Sequence, residues 1–209
     1  MRAWLSRGMS SALAKPGVFV VALGPLTWLI WGVLANRLGA NPAEALVRST
    51  GDWTLRALCV VLAVTPLRVA AGLPALARFR RMLGLLVYFY AVLHLAAYSW
   101  LDRGLEIQDI ANDIAKRPFI LVGFMGFAFL TVLAASSFDR AIRLLGGRRW
   151  RLLHRLVYAV AMLAILHFYW MRAAKNNFFE VAVYASILTA LLGWRLVNFA
   201  NKKRLQRPK

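Results

Sequence analysis

Six stretches of roughly 20 apolar residues, joined by short polar connections, constrain this chain more than anything else in it. An α-helix needs about 20 consecutive apolar residues to cross a bilayer core. The windows 17–36, 53–71, 82–101, 118–138, 150–171 and 178–198 meet that requirement and predict six transmembrane helices. The predicted fold class is all-α, a polytopic membrane helix bundle occupying residues 1–209 as one domain. A soluble fold is excluded by supply: 61% of the residues are apolar and only 17% charged, too few to build a solvated surface. Pro16, Pro42, Pro74 and Pro118 fall at or between span ends, whereas Pro25 and Pro66 lie inside spans and are expected to bend them. Trp53, Trp100, Trp150, Trp170 and Trp194 sit where an interfacial aromatic belt belongs.

A net charge of +19 would point to nucleic acid in a soluble protein. Here the cations follow the topology instead. Arg2, Arg7 and Lys15 precede the first span, Arg68, Arg78, Arg80 and Arg81 occupy the second connection, and Arg140, Arg143, Arg148, Arg149 and Arg151 the fourth. The C-terminal tail, counted from Arg195, adds more to the same side. The opposite side holds Arg37, Arg48, Arg103, Lys116, Arg117, Arg172 and Lys175, and Arg56 and Arg155 fall within spans. The excess predicts that both termini are cytoplasmic. No nucleic-acid-binding motif is visible, and the expected surroundings are membrane lipid. The opening MRAWLSRGMSSALAKPG lacks the apolar core of a cleavable signal and reads as a lead-in to the first span. Cys59 is alone in an apolar run, so no disulfide framework can form within the chain. Half of the acidic residues, Asp102, Glu106, Asp109 and Asp113, gather in the third connection, as a docking patch for a partner or as a solvated loop.

The three histidines all lie in apolar segments, His94 in one predicted span and His154 and His167 in another. Intramembrane ionisable residues are costly and mark functional paths, and imidazole is a common ligand of haem iron. Depth separates the three. His94 is 13 residues beyond Arg81 and His167 is 16 beyond Arg151. At ~1.5 Å per residue these are about 20 and 24 Å from the cytoplasmic edge, so the two can face each other near the outer leaflet. His154 follows Arg151 by three residues and belongs to the inner leaflet, without an imidazole partner there. Around it Arg80, Arg81, Arg151 and Arg155 could hold propionates or phosphates, or anchor lipid headgroups. On one ideal helix His154 and His167 would lie about 140° apart, which argues against a cofactor stack along a single face unless a π-bulge or different flanks intervene. His94 and His154 share the pattern Leu-His-x-x-x-Tyr with Tyr98 and Tyr158, whose hydroxyls could bond a propionate or simply pack. Gly84, Gly123 and Gly126 permit close approach of a helix or a macrocycle.

The segments TGDWTLRALCVVLAVTPLR, RFRRMLGLLVYFYAVLHLAAY, RPFILVG and LGGRRWRLLHRLVYAVAMLAILHFYW closely resemble the MsrQ family. These are haem-binding membrane subunits of periplasmic methionine sulfoxide reductase systems, similar in turn to the ferric reductase and NADPH oxidase transmembrane domains. The resemblance implies a bacterial inner-membrane protein with haem b, one or two, on His94 and His167, and His154 as a further ligand or cofactor neighbour. It implies electrons passing outward to a periplasmic molybdenum-containing MsrP-like reductase, from the quinone pool or a cytosolic flavin reductase, and an associated flavin mononucleotide (FMN). Where the oxidases carry a second histidine on the third span, this chain has Arg80. It shows no C-terminal flavin and nicotinamide domain, so electrons are expected from another molecule, and methionine chemistry is expected on the partner. Two other classes fit membrane histidines. A proton-coupled transporter is disfavoured because no Asp or Glu lies deep in a predicted span; a non-catalytic membrane anchor would be indifferent to loss of His167.

Overall fold

The computed structural model describes residues 8–173 and 176–205. Arg2, Arg7, Lys175 and the last four residues, part of the charge pattern above, lie outside them. The chain is a bundle of helices with six long and apolar enough to cross a membrane: Ala14–Leu34, Pro42–Ala71, Pro74–Asp102, Pro118–Ala135, Leu156–Ala173 and Phe179–Asn201. The number of spanning helices is therefore the six predicted, and the protein is a multi-pass membrane protein.

Helix α1 (Ala14–Leu34) runs on through Pro25. Helix α2 (Pro42–Ala71) begins eleven residues before the predicted span, and local chemistry explains why. The Asn41 side chain accepts the Glu44 N–H at 3.1 Å, Pro42 occupies the first turn where its missing N–H costs nothing, and Glu44 pairs with Arg48 one turn on. Gly72 ends the helix in the left-handed region at φ 64°, and the N–H of Leu73 returns to the Arg68 carbonyl. A 3₁₀ turn (Pro74–Phe79) leads into α3 (Arg80–Ala97), which widens into a π-helical turn at Tyr98–Asp102. Gly104 and Leu105, both at positive φ, then reverse the chain into α4 (Ile107–Lys116), an amphipathic connecting helix rather than an irregular loop. Helix α5 (Pro118–Ala135) returns across the bundle.

Next comes the largest departure from the expected spans. The predicted span at 150–171 is two helices: α6 (Asp139–Leu153), itself broken at Gly146, and α7 (Leu156–Ala173), separated by a turn at His154–Arg155. Five arginines between 140 and 151 make α6 too polar to count as a span, and the apolar span begins only after the turn. Arg155 is thus in the turn rather than in a span, and the 140° separation of His154 from His167, which assumed one straight helix, does not apply.

Helix α8 (Phe179–Leu205) closes the bundle. The most extensive helix contacts join α2 to α3 and α5 to α7, and the core where these pairs meet is built on Leu58, Leu62, Val87, Val160 and Ala161. Outward-facing Val20, Trp28, Val132 and Leu196 are exposed, as lipid-facing side chains should be. Arg195, grouped with the tail in the sequence, sits inside the last spanning helix. Its guanidinium donates to the Leu62 carbonyl at 2.7 Å and lies over the Tyr158 ring. Leu62 is four residues before Pro66, which has no N–H to give, so the proline frees the carbonyl that Arg195 takes. Pro66→Ala and Arg195→Leu should therefore be non-additive in thermal unfolding, coupled by about 1 kcal/mol, because the carbonyl is orphaned only when proline is kept and arginine lost. Additive effects would contradict this pairing.

Candidate functional site

His94 on α3 and His167 on α7 come together across the bundle, with ring centroids 6.3 Å apart and planes at 75°. Each ring is held by a neighbouring helix in the same manner. The Nδ1–H of His94 donates to the Val47 carbonyl at 2.9 Å, with the Thr50 hydroxyl at 3.4 Å, and that of His167 donates to the Phe119 carbonyl at 2.6 Å. A carbonyl oxygen only accepts, so Nδ1 carries a proton in both rings, and in the uncharged form of each Nε2 keeps its lone pair. Four residues beyond each carbonyl is a glycine. A Cβ on Gly51 would lie 3.0 Å from His94 Cε1, and one on Gly123 would lie 2.8 Å from His167 Cε1. Gly123 was visible in the sequence as a site of close approach, and what approaches is the imidazole. Gly51 and the two carbonyls were not singled out there.

Both histidines line one largely apolar cavity of about 340 Å³ between α2, α3, α5 and α7. Leu55, Leu58, Phe127 and Leu163 are among its walls. At the end of the bundle that carries α4 its lining turns polar, with Arg48, Asp52, Asp102, Arg103, Arg117 and Arg172. Arg172 pairs with Asp52 and Glu180, while Arg103 and Arg117 share Asp113. Asp113 is 8% exposed and also accepts from the Tyr98 hydroxyl at 2.8 Å, so it is an internal anchor and not part of a solvated acidic patch. The π turn places Tyr98, Asp102 and Arg103 on the cavity side together with His94.

His154 lies apart from the pair. It caps α6 at the opposite end of the bundle, its ring 3.9 Å from that of Trp150, Nδ1–H donating to the Trp150 carbonyl at 3.1 Å and Nε2 3.4 Å from the Ser137 hydroxyl. Trp150 is not a free belt residue, since its indole N–H donates to the Ser136 carbonyl. Burial, opposed by the Trp150 hydrogen bond and assisted by the Arg80 cation, keeps the His154 imidazole below the usual histidine range and so uncharged at neutral pH. Arg81 is paired with Asp139, and the Arg151 guanidinium lies 3.3 Å from where a Cβ on Gly147 would stand. Arg80, Arg81 and Arg151 do not line the cavity of the histidine pair. Neither tyrosine of the Leu-His-x-x-x-Tyr pattern bonds its histidine: Tyr98 serves Asp113 and Tyr158 lies under Arg195.

Among the described residues no group of three or more His, Cys, Asp and Glu side chains could hold a metal ion by itself. Protein-built zinc sites take three or four such ligands. A metal that brings its own planar ligand ring needs only the axial ones, and a facing pair of neutral imidazoles meets that need. The 6.3 Å between the ring centroids would leave room for a metal ion held by both imidazoles.

Residues 50–165 match the model of the ferric reductase-like transmembrane component family. No solved structure matches the chain. The chain is 60% identical to the protein-methionine-sulfoxide reductase heme-binding subunit MsrQ of Polaromonas naphthalenivorans, over 98% of this chain and 94% of that protein. It is 48% identical to MsrQ of Bordetella parapertussis over 90% of this chain and 91% of that one, and 44% identical to MsrQ of Xanthomonas campestris over 95% and 92%. Identity of this extent, spanning nearly the full length of each protein, makes this chain a member of the MsrQ family within the ferric reductase-like transmembrane proteins.

Proposed function

We propose that the protein is a b-type cytochrome subunit in which His94 and His167 hold one haem through their Nε2 atoms. In this reading it relays electrons to a methionine sulfoxide reductase partner. The observation that carries this is the 6.3 Å spacing of two rings whose Nδ1 protons are already committed to carbonyls. Hydrogen bonds of that kind orient a ligating histidine and raise its basicity. The name of the relatives, heme-binding subunit of a protein-methionine-sulfoxide reductase, supports the same assignment. A bound haem would supply a one-electron carrier within the apolar bundle. The chain's own residues do the rest: the carbonyls of Val47 and Phe119 fix the imidazoles, Gly51 and Gly123 leave room for them, and Leu55, Leu58 and Phe127 keep water from the cavity.

Orientation follows the positive-inside rule, with Arg78, Arg80, Arg81 and the arginines of α6 on the cytoplasmic side of the bacterial inner membrane. The polar end of the cavity then faces the periplasm, where an MsrP-like reductase would accept electrons, and the donor would be the quinone pool or a cytosolic flavin reductase. His154, at the opposite end of the bundle and bonded through Nδ1 to the Trp150 carbonyl, is left out of the set that would hold this haem.

Absorption spectra and haem-to-protein ratios of the full chain purified in detergent test the assignment. His94→Ala and His167→Ala are expected to lose most of their haem, and His154→Ala to keep it. A wild-type protein without a Soret band, even after haem supplementation during expression, would sink the proposal, and equal losses in all three variants would contradict the choice of ligands.

A further inference from the structure

The arginines at the polar end of the cavity are not equally satisfied. Arg48 has Glu44, and Arg172 has both Asp52 and Glu180. Among the described residues Arg103 and Arg117 have a single carboxylate between them: Asp113 accepts from Arg103 Nη2 at 2.6 Å and from Arg117 Nε at 3.3 Å. The Arg103 side chain is three-quarters buried, and its Nε–H is fully enclosed with no acceptor among the described residues. A buried donor of a charged group left unpaired is costly, and native proteins rarely retain one without a use. That N–H is closed off from the cavity, but Arg103 itself lines the same cavity as His94 and His167, beside Arg117, with which it shares one carboxylate, so the pair keeps an excess of positive charge there. Asp113 also receives the Tyr98 hydroxyl, so it is held as a fixed support for both guanidiniums.

We propose that Arg103 and Arg117, positioned by the buried Asp113, form a carboxylate-binding site that takes the propionate side chains of the tetrapyrrole held by the histidine pair. The inference rests on the haem reading above and goes beyond it, because the histidines read the metal whereas these arginines read the edge of the ring. Guanidinium suits this role because it stays charged and offers donors in a planar fork that matches a carboxylate. Lysine at 103 would keep the charge but not the planar fork of donors.

The test compares haem with iron protoporphyrin dimethyl ester, in which both carboxylates are masked, by titration into the haem-depleted full chain in detergent. Wild type is expected to prefer the free acid by about tenfold or more, the scale of a charge-assisted hydrogen bond. Arg103→Lys should bring the two affinities within about threefold while leaving the axial-ligand absorption bands in place, and Arg117→Gln should erode the preference partly. A purely structural role for Arg103 would weaken both compounds alike and leave their ratio unchanged. Equal binding of both compounds by wild type, or a full preference retained by both variants, would overturn this proposal alone. Failure of wild type to bind either would overturn the histidine assignment and this one with it.

Discussion

Gly123→Val is expected to lose haem as completely as His167→Ala, although the glycine carries no donor atom. A Cβ at position 123 would lie 2.8 Å from His167 Cε1 and 2.9 Å from Nδ1, closer than carbon packs against an imidazole. The ring cannot retreat along its own axis without breaking its 2.6 Å bond to the Phe119 carbonyl. It must therefore swing, and a swing moves Nε2 out of line with His94. Alanine, with only the Cβ, should displace the ring less and leave a fraction of haem bound with altered absorption bands. Gly51→Val should act on His94 in the same way, more mildly, since the nearest approach there is 3.0 Å. Gly84→Val is the control: nothing lies within 4 Å of its would-be Cβ, and haem content should match wild type. Full haem occupancy with unshifted bands in Gly123→Val would contradict the packing of His167 against α5.

The second large effect concerns stability. Asp113→Ala is expected to destabilise the bundle by about 3 kcal/mol or more, because it leaves two guanidiniums together, one of them mostly buried, with no counter-charge. The whole penalty is that of an uncompensated buried charge, not the value of one surface ion pair, which is typically below about 1 kcal/mol. The comparison residue is Glu44, whose pairing with Arg48 lies at the surface, so Glu44→Ala should cost about 0.5 kcal/mol or less in that pairing. Thermal unfolding in one detergent, read by far-ultraviolet circular dichroism, checks both variants. Similar midpoints for the two would mean that Asp113 is not the anchor its contacts indicate.

The histidine pair was legible in the sequence because helical rise is fixed: residues at equal distances from basic anchors on two spans that run the same way must reach equal depth, whatever packs between them. The partners of those histidines were not. Val47 and Phe119 act through backbone oxygen, which every residue possesses, so their letters carry no trace of the role. Gly123 was noticeable as a glycine in an apolar helix, but the object it accommodates comes from a helix met much later in the chain. The acidic third connection misled for a related reason. Asp113 reads as a surface charge until Gly104 and Leu105 turn the chain back and bring Arg103 to it. The start of the fifth span was missed because Trp150, Leu152 and Leu153 carry the apolar run back among the arginines, and periodicity alone does not register a two-residue turn at His154–Arg155. Arg195 looked like the first residue of a basic tail. Its placement depends on Pro66, 129 positions earlier, releasing a carbonyl on another helix.

The carbonyl–imidazole bonds have one more implication, for how this protein tolerates change. In many metal sites the tautomer of a histidine is set by a carboxylate, and one point mutation erases it. Here the acceptor is main chain. Val47 and Phe119 can drift to other apolar residues without altering which nitrogen bears the proton, whereas a slide of α2 along α3, or of α5 along α7, would disturb ring and acceptor at once. Protonation at each imidazole is thus a readout of helix register, and the infrared N–H signature of these two rings should report whether a detergent or lipid preserves the native alignment of the bundle.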